Sequence, residues 1–566
     1  MADRREAAGA GEAARRGTAE GAARVVLAVI ATQQLLMAYD STAMNVAVSD
    51  IVTDLDTTLT GVQSAISLYA LVMAALMITG SKLGSRVGHL RMFTLGATLY
   101  GCGALVTALS PGLPVMLLGW SLLEGIGAAL VFPAILSIAT LAFTGAARTR
   151  ALTLVGAAAG VGAALGPLLG GVITRYLSWR VSFLLETVVT AVAVILISRQ
   201  RIPRPKAVRQ PSFDILGAVL SALGFGLIVL GTLLASRYGL LTTRTDVVLS
   251  GRTVLGEGAV SPTVVFGLAG VVVLALFAWW EGHRIRTGRD PLVRPAVLRN
   301  RTTRVGSLSL GLQFLVLAGV FFLVPVFVQT TLGYDALESG LTLLPATVML
   351  VLGAASGTRA VGRGRTTRKP LILVGFLLIA AGAVMTVFAF EPVSSGLKIA
   401  PGLAVAGLGL GLCTLLPDLV QSSAAEDRVS DVAGLSRSFS YLGQSLGIAL
   451  AGALMIGVLL NTMLASARTS TALTSSQKAT VEHALEHSVQ ATAVSDQQLR
   501  AELGRRGITG PPADELVRIN AQAREDGLTA AMAAMGVFAL SGAALATRLP
   551  RTARNPAPAR EQRRHA

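Results

Sequence analysis

The sequence predicts an all-α polytopic membrane protein with fourteen transmembrane helices arranged 6+2+6. Both termini are placed in the cytoplasm. Two observations carry the class. Apolar runs of about 20 residues, each long enough to cross a bilayer, recur along nearly the whole chain. The composition agrees: 566 residues are 52% hydrophobic and 14% charged, with 61 glycines and a mean hydropathy of +0.65. Soluble domains carry nearer a quarter charged residues. Continuous apolar runs read as helices, because barrel strands would alternate instead.

In order, residues 1–24 form a polar, arginine-bearing cytoplasmic tail. No short apolar core with a cleavage site follows it, so Val25 onward is expected to be a retained first span. Spans are predicted at 25–48, 61–84, 90–110, 114–140, 151–174 and 179–198, making an amino-terminal six-helix bundle over 25–198. Residues 199–304 are cytoplasmic linkers around two inserted helices, 214–236 and 261–281. A second six-helix bundle over 305–548 holds spans at 305–329, 338–358, 370–390, 397–420, 432–460 and 528–548. It includes an outer segment at 461–527, and a basic tail at 549–566 closes the chain. The basic loops after the second and tenth spans occupy matching positions in two six-span units, as in transporters built from repeats.

Lys and Arg set the orientation. Lys82, Arg86, Arg91, Arg148, Arg150, the run 199–209 and seven arginines between 284 and 304 fall on one side. The short loops of the other side hold few basic residues, so the positive-inside rule makes the basic side cytoplasmic. The net charge of +17 is therefore a sign of topology and not of nucleic-acid binding. Cys102 and Cys413 both fall in predicted spans, so no disulfide framework is indicated. The chain has no G-x-x-x-x-G-K-[ST] phosphate loop, which leaves an ion gradient as the energy source and no cofactor or metal.

The first span contains Met37-Ala38-Tyr39-Asp40-Ser41-Thr42-Ala43-Met44-Asn45, and Asp40 is its only charge. A carboxylate at a helix centre costs about 2.5–3.5 kcal/mol on insertion scales, so its default reading is a proton or cation site. A structural carboxylate paired with a neighbouring helix is the alternative. Glu124 lies about ten residues into the fourth span and Glu186 about seven into the sixth. If these helices face one cavity, three acids line it with no equally deep base, an arrangement suited to proton carriage. Met37, Tyr39, Met44, Asn45 and Trp120 are candidates for an adaptable apolar pocket, with core packing as the competing reading. Asp418, near the end of its span, is expected to pair with Arg437 or Arg428.

Gly162, Gly166, Pro167, Gly170 and Gly171 form a small-residue face on the fifth span. Glycines at this spacing let another backbone approach closely, and Pro167 loosens the helix. The stretch Gly162-Ala-Ala-Leu-Gly166-Pro167-Leu-Leu-Gly170-Gly171 resembles the antiporter motif of major facilitator superfamily exporters. Asp40-Ser-Thr-Ala-Met-Asn45 is similar to the first-helix motif of the fourteen-helix drug:proton antiporters. Ser81-Lys82-Leu83-Gly84-Ser85-Arg86-Val87-Gly88-His89 resembles the superfamily's cytoplasmic gate loop, in which Lys82, Arg86 and Gly88 would set the inward gate. Trp179-Arg180 and Leu332-Gly333-Tyr334 are also similar to this group.

The resemblance implies the major facilitator fold, alternating access and multi-pass residence in a bacterial inner membrane. It implies proton-coupled export of amphipathic, cationic compounds, with no enzymatic activity. The partners would be protons, small-molecule substrates and the bilayer, with no nucleic acid, and the chain is expected to be monomeric. Departures from the family pattern are Ser85 for Asp and His89 for Arg in the gate loop. In the fourth span Ser121 replaces Arg and Glu124 replaces Gln, and in the sixth Glu186 replaces Asn. The amino-terminal bundle is thereby left net acidic inside, so a mechanism relying on the fourth-helix Arg does not carry over. A dedicated exporter of one natural product, lipid or metabolite is the alternative, and a non-transporting sensor using 461–527 is a more distant one. Gly443-Gln-Ser445-Leu-Gly447 matches a nucleophile elbow but lies in an apolar helix with no preceding strand. His483-Ala-Leu-Glu486-His487 matches a zinc pattern, and a solvated outer helix is the competing reading.

Overall fold

The computed structural model describes residues 2–550 except 144, 201–213, 244–245, 250–251, 257, 390–394, 424–428, 476, 479–495 and 506–507. Thirteen described helices are long and apolar enough to cross a membrane. The third expected span is the 20-residue helix α4, His89–Ala108, whose Arg91, glycines and threonines dilute its hydropathy. It packs against three of the thirteen, so the bundle is consistent with the expected fourteen spans.

The first half contains α1 (Ala2–Ala43), the short α2 (Val48–Asp54), α3 (Leu59–Val87) and α4. There follow α5 (Leu113–Met116), a π-helical segment (Leu117–Glu124) and α6 (Gly125–Ala142), which together make one 30-residue span. Then come α7 (Gly145–Tyr176) and α8 (Trp179–Ser198). The inserted pair is α9 (Ile215–Tyr238) and α10 (Pro262–Arg286), joined by a two-stranded antiparallel hairpin of β1 (Val247–Leu249) and β2 (Arg252–Leu255). The second half holds α11 (Arg301–Thr330), α12 (Ala336–Gly362), α13 (Arg368–Val387), α14 (Gly396–Cys413) and α15 (Leu416–Ser422). It ends with α16 (Val429–Thr469), α17 (Asp496–Arg505) and α18 (Pro511–Ala546).

Polar residues at the chain's turns start these helices. Thr58, Ser178, Ser261 and Asn300 cap α3, α8, α10 and α11 with side-chain oxygens. Asp335 and Glu338 form a reciprocal capping box at α12, satisfying amides that have no intrahelical partner. Asp214 caps α9 and also receives Trp280 Nε1–H at 3.1 Å and the Arg284 guanidinium at 3.3 Å, locking the inserted pair together at its basic end.

Helices run beyond the predicted spans. The segment 461–527 begins and ends in helices of the second half. Its first nine residues continue α16 and its last seventeen belong to α18, so both helices project well past a bilayer's thickness. Ala467, Leu473, Leu503, Ala513, Leu516 and Val517 bury one another there, and Arg524 pairs with Asp496 at 2.8 Å. The helix that carries the last span thus starts at Pro511, next to Gly510 at φ +70°, because amphipathic residues beyond the membrane still find an apolar partner helix. The tail 1–24 likewise lies in α1 from Ala2 onward. His483, Glu486 and His487 lie outside the described residues. Ser445 sits inside α16, donating to the Ser67 carbonyl at 2.7 Å, and no strand–turn–helix surrounds it.

Within the first half α1 packs along α7, and α4 packs on α6 and α8. Within the second, α11 packs on α16, α12 and α13 pack on α14, and α18 packs on α13 and α16. The two sets meet through α3 with α16 and α7 with α12. At the end opposite the basic loops, Gln329 donates to the Val46 carbonyl at 2.7 Å and accepts from Ser49 Oγ–H at 2.6 Å. Gln63 donates to the Ile448 carbonyl at 2.9 Å, and Arg175 pairs with Asp335. At the basic end, Lys82 pairs with Asp431 at 3.0 Å.

Candidate functional site: three buried carboxyls

Asp40 on α1, Glu124 at the end of the π-helical segment and Glu186 on α8 are all completely buried. One carboxyl oxygen from each lies within 4.8 Å of the others. Three helices that are distant in sequence bring them together, as the sequence anticipated. They are enclosed within the first half and do not line an open channel.

Glycine determines how deep Glu124 sits. A Cβ on Gly103 of α4 would lie 2.6 Å from the Glu124 amide nitrogen, and one on Gly127 the same distance from the Tyr100 amide. These residues allow α4 and the fourth span to touch backbone to backbone. The π-helical turns, a form that recurs at functional sites, bury Trp120, Ser121 and Glu124 together.

Aromatic donors surround the acids. Trp120 Nε1–H reaches both oxygens of Asp40, at 3.1 and 3.2 Å. Tyr69 stacks on Trp120 at 5.7 Å between centroids, and Phe183 meets Trp120 edge-on at 5.9 Å. Tyr100 donates its hydroxyl to Glu186 Oε2 at 2.7 Å. Neither oxygen of Glu124 has a partner of good hydrogen-bond geometry, although Glu186 and Tyr100 stand against it. Among the described residues no Lys or Arg figures in the electrostatic surroundings of the three acids. Two ionised carboxylates at this spacing repel by about 3 kcal/mol at an effective dielectric near 20, so the full charge of three is untenable without protons or a cation.

Sequence reasoning missed Tyr100 and Tyr69. A phenol in mid-span was the available signal, since an O–H deep in a membrane needs an acceptor. The candidate pocket residues lie in the same packed interior as the acids. Met37, Tyr39, Met44, Asn45 and Trp120 are all buried, with Tyr39 hydrogen-bonded to Ser182 at 2.9 Å and Asn45 to the Thr42 carbonyl at 3.4 Å. Ser121, standing where the family pattern has Arg, donates to the Ala65 carbonyl at 2.8 Å and so ties α3 to the fourth span.

The predicted gate loop is a single residue. Gly88, at φ +102°, is all that separates α3 from α4, and only glycine adopts that backbone without strain. Lys82 and the exposed Arg86 therefore lie on the last turns of α3. Asp418 is exposed and does not pair with Arg437, which instead lies over the Phe132 ring at 4.6 Å; Arg428 lies outside the described residues. On α7, Gly162, Gly166 and Gly170 press on α1 at Leu35, Thr42 and Ala43. Gly171 and the Pro167 carbonyl press on Ala336 and Gly340 of α12. The antiporter-like face is thus a helix held without side chains between the two halves.

Two packed sets of membrane-spanning helices, the first enclosing three ionisable groups, define a secondary-transporter class of membrane protein. The sequence profile of the Major Facilitator Superfamily matches residues 30–448, and the chain belongs to that family. Relatives include a probable actinorhodin transporter of Streptomyces coelicolor, 29% identical over 76% of this chain and 72% of that protein. A multidrug efflux pump of Mycolicibacterium smegmatis, LfrA, is 25% identical over 76% of this chain and 80% of the relative. Among solved structures, a bacterial homologue of the human lysosomal transporter Spinster, inward-facing and unoccupied, superposes with a TM-score of 0.59. It is 15% identical and covers 93% of this chain and 96% of its own, which speaks to the fold.

Proposed function

We propose that the protein is a proton-coupled exporter of amphipathic cationic compounds, working by alternating access in a bacterial inner membrane. The observation that carries this reading is the enclosure of Asp40, Glu124 and Glu186 within 4.8 Å of one another. Such a group must be neutralised by protons or by a cation, so its two forms of occupancy exclude each other. That competition is the requirement for exchange. Related proteins named for export, resistance or multidrug efflux support the export reading.

In this reading the 6+2+6 division holds, with α9 and α10 inserted between two bundles, and the first-half acids exchange protons for substrate. The contacts of Gln329, Gln63 and Arg175 close the outer end in the state described, as the basic-loop asymmetry orients it. The chain acts as a monomer, needs no cofactor beyond the proton gradient, performs no chemical conversion and binds no nucleic acid. A dedicated exporter of a single natural product would use the same acids and differ only in substrate range.

The test is ethidium efflux under an imposed pH gradient, wild type beside Asp40→Asn and Glu124→Gln. Efflux that collapses with the gradient and in both variants supports the reading. Gradient-independent efflux, or normal efflux in both variants, overturns it.

A further inference from the structure

The three acids are not equivalent in their surroundings, and the difference comes from α4. Gly96 and Gly103 each bring α4 into backbone contact with the fourth span. Tyr100 lies between them, one turn from either. Its ring is completely buried and its backbone is wedged against Gly127, so the hydroxyl has a fixed position. That hydroxyl carries one proton and gives it to Glu186 Oε2 at 2.7 Å. Asp40 has its own donor in Trp120. Glu124, equally buried, has no donor of comparable geometry.

A hydrogen bond from a neutral donor steadies a carboxylate far more than it steadies a carboxylic acid. We infer that Tyr100 is a positioning residue that divides the labour of the glutamate pair: Glu186 keeps the standing negative charge that recognises a cation, and Glu124 carries the exchangeable proton. This rests on the proton-coupled reading above and assigns its roles. During exchange the proton leaves the Glu124 carboxyl for solvent as one cationic substrate is admitted, and the charge of the site is conserved. No covalent bond other than that O–H changes. Tyr100 stands on α4, which packs on both α8 and the fourth span, and its hydroxyl hydrogen-bonds Glu186 while standing against Glu124.

The experiment uses the full-length protein in proteoliposomes, with ethidium as probe and two readouts. One is uptake driven by a pH gradient. The other is ethidium–ethidium exchange with no gradient. Glu124→Gln is expected to abolish gradient-driven uptake and to leave an exchange rate that no longer changes with pH. Glu186→Gln is expected to raise the KM for exchange about tenfold or more. Tyr100→Phe keeps the ring and the packing, and should move the pH midpoint of gradient-driven uptake by about one unit, the tenfold expected from one hydrogen bond to a charged group.

Reversed phenotypes for the two glutamates, or an unmoved pH profile in Tyr100→Phe, overturn the division of roles. Trp120→Phe distinguishes this from general loosening of the site, because it should leave the Glu124 and Glu186 phenotypes separate. If wild type shows exchange but no gradient-driven uptake, the proton-coupled reading itself falls, whatever the variants do.

Discussion

Gln329 joins the two halves of the molecule at the end away from the basic loops, and its replacement by Leu should release that end. Its amide donates to the Val46 carbonyl at 2.7 Å and accepts from Ser49 Oγ–H at 2.6 Å and Ser49 N–H at 3.2 Å. Each such bond contributes about 0.5–1.5 kcal/mol net, and the three together about 2–4 kcal/mol. In the closed form the Val46 carbonyl and Ser49 amide would lose this partner, whereas in the opened form water satisfies them. At about 2 kcal/mol, the lower end, the ratio of closed to open shifts about 30-fold.

The assay is a distance between spin labels on the outer ends of the two halves, at the exposed Tyr176 of α7 and Leu397 of α14, with Cys102 and Cys413 replaced. Gln329→Leu should move weight from the short distance to a longer one. Gln329→Glu, which keeps the acceptor and loses the donor, should fall between. A Gln329→Leu distribution that overlays wild type would refute the claim that these bonds hold the outer end shut.

Other predictions follow from the same contacts. Gly340→Leu places a side chain against the Pro167 backbone, and Gly166→Leu one against Thr42 and Tyr39. Either should cost more than 2 kcal/mol of stability or transport, read as melting temperature and efflux, while Gly156→Leu, with open space beside it, should be tolerated. Lys82→Glu should impair transport by breaking the 3.0 Å pair with Asp431, and Lys82→Glu with Asp431→Lys should restore part of it, measured as efflux rate. Arg524→Leu leaves Asp496 without its 2.8 Å partner and should loosen the projecting ends of α16 and α18. Limited proteolysis near 505–511 should detect this, with efflux changed less than twofold.

The outer segment also bears on pH. Arg518, through its 2.8 Å hydrogen bond and ion pair, holds the Glu515 carboxyl below its ordinary range. A depressed carboxyl stabilises the fold above its unfolded value and loses that contribution as pH falls through the folded one. The ends of α16 and α18 should therefore loosen as pH falls through the depressed carboxyl's range, detectable as faster amide exchange there.

The class of protein was legible from the sequence because a bilayer leaves few choices. Apolar runs must be helices, and the cost of moving Lys and Arg across the membrane writes the orientation into the loops. Asp40, Glu124 and Glu186 were legible for the same reason: a charge in an apolar run is conspicuous. The α7 glycines showed that something approaches closely, but only tertiary structure decided that α1 lies on one side and α12 on the other.

Hydropathy stops helices at the membrane surface, so it hid the continuation of α16 and α18 beyond the bilayer, which depends on their packing against each other. The gate loop shrank to Gly88 because one positive φ suffices to turn the chain. The phenol of Tyr100 was visible in its span, but its acceptor, Glu186 on a helix 86 residues away, was not. Composition, periodicity and charge determine which segments enter the membrane and which groups are costly there. Which donor meets which carboxylate is fixed by backbone approach at Gly103 and Gly127, a distance of long range in sequence that no local pattern encodes.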